Sequence, residues 1–445
     1  MSNEPAAAVR DEEVAPVPRS VIRAWSLWDF GQQSFNTVIL TFVYTVYLTS
    51  AVASDPDRGA AVIASWQTWG GLAIALLAPA LGVVADRSGK TRPLLIGSTV
   101  LTIAAMASLW FVRPEDSYLA LGAILLAVAT VLSELAGAFY NGLLVRITTP
   151  ETYGRVSGTA WGLGYIGGVL ALLLALFGFV LDGGMLGLPT DDGVNVRGVA
   201  LMCALWFLAF GLPLIVLAPK DPPRPPEVRV NVVTAYRELV RHVVGMWRRD
   251  RVRLHFFVAT AVYRDGLGTV FAVAGVLAAA AYGMTQEEVI YFGLAANLVA
   301  GVSTWFAGRL DDRFGPRPLI IGALLVILGL AAVIIVSPAV AVFWVGGLGI
   351  SACVGPIQSA TRSMLARMSD VNRAQEDFGL YATSGRALGF LGQAAFAGFI
   401  VLTGQTRLGT IGIALVLVVG LLLFLALRFT ERWQERQPAG APTAP

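Results

Sequence analysis

At 445 residues, with 56% hydrophobic and only 14% charged side chains, the chain has too few polar groups to cover a water-soluble surface, which excludes a set of soluble domains. Cys203 and Cys353 both lie in apolar runs, and the only histidines are His242 and His255. No disulfide framework, metal cluster or cofactor is therefore expected. The formal charge of +3 says less by its sum than by where the basic residues lie.

Residues 1–23 mix Ala, Pro, Glu and Arg, with Arg19 and Arg23 directly before the first apolar run, and read as a cytoplasmic tail, not a cleaved leader. Apolar stretches of the ~20 residues that cross a ~30 Å hydrocarbon core follow at 24–50, 60–85, 92–112, 117–145, 154–181 and 198–217. After a polar linker they resume at 254–281, 287–308, 316–336, 338–366, 376–402 and 408–429. Every backbone polar group in lipid must be satisfied internally, so the fold class is all-α. Twelve transmembrane helices are predicted in two pseudo-symmetric six-helix bundles, 24–218 and 254–430, with a C-terminal tail at 431–445.

The linker, 219–253, opens on Pro222, Pro223, Pro225 and Pro226. It then takes a helical period, with Val232, Tyr236, Leu239, Val240, Val243 and Trp247 on one face. Its basic excess suits a helix lying on the anionic inner leaflet, and a disordered tether is the alternative. With both ends cytoplasmic, 26 of the 32 Lys and Arg fall on that side, and only Arg58, Arg113, Arg197 and Arg407 fall outside. Arg264 and Arg386 remain inside the membrane.

An internal repeat ties the halves together. Gly82-Val-Val-Ala-Asp86-Arg87-Ser-Gly89 follows the second span and Gly308-Arg-Leu-Asp-Asp312-Arg313-Phe-Gly315 follows the eighth. The first glycine of each admits a close neighbour, the aspartate can meet a facing helix N-terminus or an arginine, and the last glycine turns the chain. Such a clasp can hold the halves together in one state and release them in another. A turn in a basic loop explains one copy, but not two in register.

The repeat resembles the loop signature of the major facilitator superfamily, which implies alternating access by rocking of two bundles built from inverted repeats. Further segments resemble its vacuole-effluxer-like branch. These are Trp28-Asp29-Phe-Gly-Gln-Gln-Ser-Phe, Arg155-Val-Ser-Gly-Thr-Ala-Trp-Gly-Leu-Gly-Tyr165-Ile-Gly-Gly168, Tyr263-Arg-Asp265-Gly-Leu-Gly-Thr and Gln358-Ser-Ala-Thr-Arg362-Ser. The first departs from the branch, which reads closer to Tyr-Asp-Trp-Ala-Asn-Ser. The branch includes proteins similar to fungal vacuolar amino-acid exporters.

Apart from any family, charges inside a membrane are costly and usually face a bundle interior or a wet cavity. Asp29, Glu134, Asp265 and Arg386 are the leading candidates for substrate binding or ion coupling, with Arg264 beside them. Asp265 lies twelve residues beyond Arg253, roughly 18 Å along a helix and so near the midplane. Arg386 suits an anionic group of a substrate, and Asp265 or Asp29 a cationic group or a proton. A purely structural charge network is the competing reading. Gln32, Gln33, Asn36, Tyr140, Asn141, Asn297, Gln358 and Gln393 add hydrogen-bonding capacity. Gly158, Gly162, Gly164 and Gly168 in the fifth span, and Gly385 and Gly389 in the eleventh, follow the spacing of close helix packing.

A secondary transporter of a small solute, with a proton as possible co-substrate, accounts for these features best. No G-x-x-x-x-G-K-[ST] phosphate loop supports ATP hydrolysis. A membrane-embedded enzyme lacks a metal cluster or nucleophile motif, and a non-transporting receptor leaves the repeated clasp unexplained. The expected partners are the bilayer and the solute, without nucleic acid, for a monomer. The arginine-rich, lysine-poor composition suits a bacterial plasma membrane.

Overall fold

The computed structural model of the chain describes residues 17–181, 184–221 and 232–427, so most of the N-tail, the proline run of the linker and the C-tail lie outside the described residues. Twelve helices are long and apolar enough to span a bilayer. They are Arg19–Val52, Pro56–Ser88, Thr91–Phe111, Asp116–Ile147, Tyr153–Val180 and Asp191–Leu217 in the first half. The second half has Arg251–Tyr282, Gln286–Phe314, Pro316–Val336, Val340–Met368, Ala374–Thr403 and Thr406–Leu425. The chain is an integral, multi-pass membrane protein.

Local chemistry explains where these helices start and stop. The second span opens on Pro56, with the Asp55 side chain accepting from Arg58 N–H, and ends at Gly89, whose φ of 60° closes the last turn. The eighth opens on a capping box between Thr285 and Glu288.

Two spans are not the continuous helices expected. The first widens into π-helix over Ser34–Phe42, where the Thr41 hydroxyl donates to the Asn36 carbonyl at 2.7 Å and that of Thr45 to Leu40 at 2.7 Å. Hydroxyls bonding five residues back compete with the α-helical ladder, and π-turns of this kind concentrate at functional sites. The eleventh breaks between Ala374–Leu388 and Leu391–Thr403, at Gly389 and Phe390.

Within the first half, the first span packs against the fifth and sixth, and the fourth against the second and third; in the second half, the tenth packs against the eighth and ninth, and the seventh against the twelfth. Between halves, the main seams are the fifth span on the eighth and the second on the eleventh. Glycines set their closeness. A Cβ on Gly158 would lie 2.7 Å from Gly308 Cα, and one on Gly162 would lie 2.8 Å from the Gly301 carbonyl. Gly164 and Gly168 face Gln33 and Thr37 of the first span instead, so the fifth-span series serves two different seams.

The linker helix, Val232–Arg249, is docked on the protein. Tyr236 donates its hydroxyl to the Leu76 carbonyl at 2.7 Å, Ala235 and Leu239 are buried against Val83, and Glu238 pairs with Arg87 at 3.0 Å. This part of the linker is not a loose tether. Val240 and Trp247, expected on the same face as Tyr236 and Leu239, turn outward among Arg237, Arg241 and Arg248. The apolar stripe is wider than its seat on the second span, so it divides between the protein and the surroundings.

Candidate functional site

The two halves meet closely at the end that carries the repeated loops and the linker helix. Between them, near the middle of the spans, lies a chamber of about 320 Å³. Asp29, Gln32, Gln33, Asn36, Glu134, Asn141, Arg264, Asp265, Gln358 and Arg386 all line it. Of the additional polar residues, Tyr140 also lines it, whereas Asn297 lines a separate cavity in the second half.

The floor is a charge pair between halves. Arg362 of the tenth span meets Asp29 of the first at 3.2 Å and donates to Ser157 Oγ at 2.8 Å, the Ser157 carbonyl at 2.8 Å and Asn141 Oδ1 at 3.0 Å. The Tyr140 hydroxyl donates to the same Asp29 carboxylate at 3.2 Å, and Trp25 and Trp28 stack on the two sides of the Tyr140 ring. The Arg362 guanidinium lies 4.7 Å from the Trp25 ring centroid. A guanidinium that donates from all three nitrogens, with an aromatic face near it, is held in place.

Arg362 corrects the charge partition drawn from the sequence, which placed it among the cytoplasmic basic residues. It is 3% exposed, inside the protein. Its position four residues after Gln358, on the same helix face, was the available signal. The tenth span continues well past it to Met368, so proximity to the end of an apolar run misled.

Higher in the chamber, Arg386 of the eleventh span pairs with Glu134 of the fourth, again across the halves and partly open to the cavity. Gln32 donates to Ser133 at 2.8 Å and accepts from Asn36 at 3.2 Å. Arg264 does not pair with its neighbour Asp265, because consecutive helical side chains point about 100° apart. Its guanidinium lies 3.8 Å from the Tyr381 ring centroid and donates to the Tyr381 carbonyl. Asp265 turns to the break in the eleventh span, where it accepts from Gly392 N–H at 2.6 Å. A carboxylate there satisfies an orphan donor at the start of Leu391–Thr403.

The repeated loops close the near end. Asp86 accepts from Glu376 N–H at 2.9 Å, and a Cβ on Gly82 would lie 2.4 Å from the Gln375 carbonyl. Asp312 accepts from Gly154 N–H at 2.8 Å and Arg155 N–H at 3.0 Å, while a Cβ on Gly308 would lie 2.6 Å from the Gly154 carbonyl. Each aspartate therefore sits on the first turn of a helix from the opposite half. Gly315, with φ of 84°, turns the chain as Gly89 does. Arg87 and Arg313 stand outside these contacts, on Glu238 and over the Phe314 ring.

Sequence reasoning overlooked Asp311 and Arg367, a fully buried pair at 2.9 Å that also holds Ser363. It also overlooked the group at the start of the eleventh span. There Asp377 meets Arg253 at 3.1 Å, and His242 of the linker helix lies 3.7 Å from both Glu376 and Asp377. Among the described residues no cluster of His, Cys, Asp and Glu has metal-binding geometry.

A family model described as vacuole effluxer Atg22 like matches residues 71–436. An uncharacterized MFS-type transporter of Bacillus subtilis, YxiO, is 22% identical over 405 residues, covering 90% of this chain and 93% of its own. Among solved structures, the human organic anion transporter MFSD10 superposes with a TM-score of 0.70 at 15% identity, covering 91% of this chain and 99% of its own. FucP in its outward conformation superposes at 0.69 with 13% identity, covering 93% of this chain and 98% of its own. The proton:xylose symporter XylE superposes at 0.67 with 14% identity, covering 91% and 94%. At such identities the structural likenesses establish the fold.

Proposed function

Because this chain belongs to the Atg22-like vacuole effluxer family of the major facilitator superfamily, and is a transporter and not an enzyme, we propose that it exports a small zwitterionic solute by alternating access. Amino acids and related metabolites are the solute class, and a proton is the coupling ion. The linker and both termini lie in the cytoplasm of a bacterial cell, and the protein acts as a monomer. With that orientation the clasps lie at the cytoplasmic end.

One observation carries this reading: the chamber between the halves presents charges of both signs. Arg264 and Arg386 face an anionic group and Glu134 a cationic one, while Asp29 and Arg362 form the floor. Opening toward the cytoplasm requires Asp29 and Arg362 to part, and a separated buried pair costs several kcal/mol unless something replaces the lost partner. A proton on Asp29, or a solute carboxylate on Arg362, does so. Asp29 suits coupling better than Asp265, whose carboxylate braces the break in the eleventh span.

Purified protein in proteoliposomes, loaded with radiolabelled amino acids and given a pH gradient, tests this. Gradient-driven accumulation is expected to vanish in Asp29→Asn while solute exchange survives, and Arg386→Ala is expected to lose binding. Accumulation by Asp29→Asn equal to that of the native protein would remove the proton from the mechanism. Recovery of stability and flux together in an Arg386→Ala, Glu134→Ala double variant would make that pair structural.

A further inference from the structure

Inside the second half, away from the clasps, a second cavity of about 250 Å³ lies among the seventh, eighth, ninth, tenth and twelfth spans. Its walls are almost entirely apolar, with Phe292, Ile327, Ile350 and Leu417 among them. The first half contributes only Thr41 and Phe42 of the first span, so the mouth faces the cleft between the halves.

One further observation points to an occupant: the cavity adjoins the charged chamber along the first and seventh spans. Thr41 on its rim hydrogen-bonds to the carbonyl of Asn36, which lines that chamber, and Thr269, whose hydroxyl donates to the Asp265 carbonyl, directly precedes Val270 of the cavity wall. The π-turns of the first span stack these two rims one above the other.

We propose that this cavity is a second binding chamber that receives the apolar part of the transported solute while its charged head occupies the central chamber. The substrate class is thereby an amphipathic solute with a ring-sized apolar tail. Apolar cavities of ~150 Å³ stay dry and accept benzene-sized guests, so a chamber of about 250 Å³ holds a substituted ring. Each buried methylene is worth about fourfold in affinity. The head-group half of the proposal rests on the zwitterion reading above; the chamber itself does not.

The full chain in lipid nanodiscs, titrated with glycine, norleucine and phenylalanine, tests the chamber against Ala331→Phe. Ala331 lies on the chamber wall and away from the central chamber. Affinity is expected to rise at least tenfold from glycine to phenylalanine in the native protein. In Ala331→Phe that rise should disappear with glycine binding unchanged. A second arm, independent of any head group, soaks crystals with iodobenzene and looks for an anomalous peak between Phe292, Ile350 and Leu417. A peak without binding of any of the three zwitterions would retain the chamber and break the zwitterion reading. No peak, a lipid acyl chain that fills the site and excludes iodobenzene, or an unchanged affinity series in Ala331→Phe would overturn the proposal.

Discussion

The two copies of the loop motif make the same contact with unequal support. Asp312 takes two backbone donors, Gly154 and Arg155, and its neighbour Asp311 anchors a buried Arg367 whose second amino group lies 3.6 Å from Asp312. Asp86 likewise takes backbone donors from Glu376, at 2.9 Å, and Gln375, but the residue before it is Ala85, with no buried ion pair behind it. Its seam also buries the Gln375 side chain, 1% exposed, with neither amide atom paired. Where the second clasp is backed by Arg367, the first is backed by the linker helix, through Glu238 on Arg87 and His242 beside Glu376 and Asp377. Symmetry of motif therefore fixes where the halves touch and leaves the strength of each touch to its neighbours. The second clasp carries a buried ion pair beside it, and the first is braced by the partly exposed linker helix.

The largest expected effect lies at the second clasp. Arg367→Ala leaves Asp311 buried without its partner, a change worth roughly 3–5 kcal/mol, and should lower the melting temperature of the purified protein sharply. The double variant with Asp311→Ala should recover most of the loss; equal melting of single and double variants would show that the pair is not coupled. Next comes the contrast between clasps. Asp312→Ala should shift the balance toward the state open at the clasp end by about 1–3 kcal/mol, and Asp86→Ala by less, as read from spin-label distances across that end. A larger shift in Asp86→Ala would invert the ranking.

Gln375→Leu should move the balance the other way. An unpaired buried amide costs about 1–3 kcal/mol, and replacing it with an apolar side chain of similar size relieves the clasped state specifically. Spin-label distances should then show the clasped population rising, and a fall would mean the amide finds partners when clasped. The smallest effect belongs to the partly exposed pair of Arg87 and Glu238. Glu238→Gln should change the balance by less than about 1 kcal/mol, with part of that lost at high salt.

Much of this architecture was legible because the bilayer imposes simple rules. Length and hydropathy mark twelve spans, and the cost of intramembrane charge picks out Asp29, Glu134, Asp265 and Arg386, all of which line one chamber. The pairing of those charges was not legible. Arg386 meets Glu134 across 252 positions and Asp29 meets Arg362 across 333, distances over which sequence pattern carries no information. Asp265 looked free because the break that engages it, at Gly389, resembles an ordinary small residue of a packing seam.

By itself the sequence determined the solvent of the protein, the number of its spans, the doubling of its clasp and the residues too polar to face lipid, because each follows from local composition against a membrane of fixed thickness. The tertiary structure alone decided which charges are partners and which copy of the motif has a buried ion pair beside it. It also decided where an apolar chamber remains open, because those depend on which helices become neighbours and how closely their glycines let them approach.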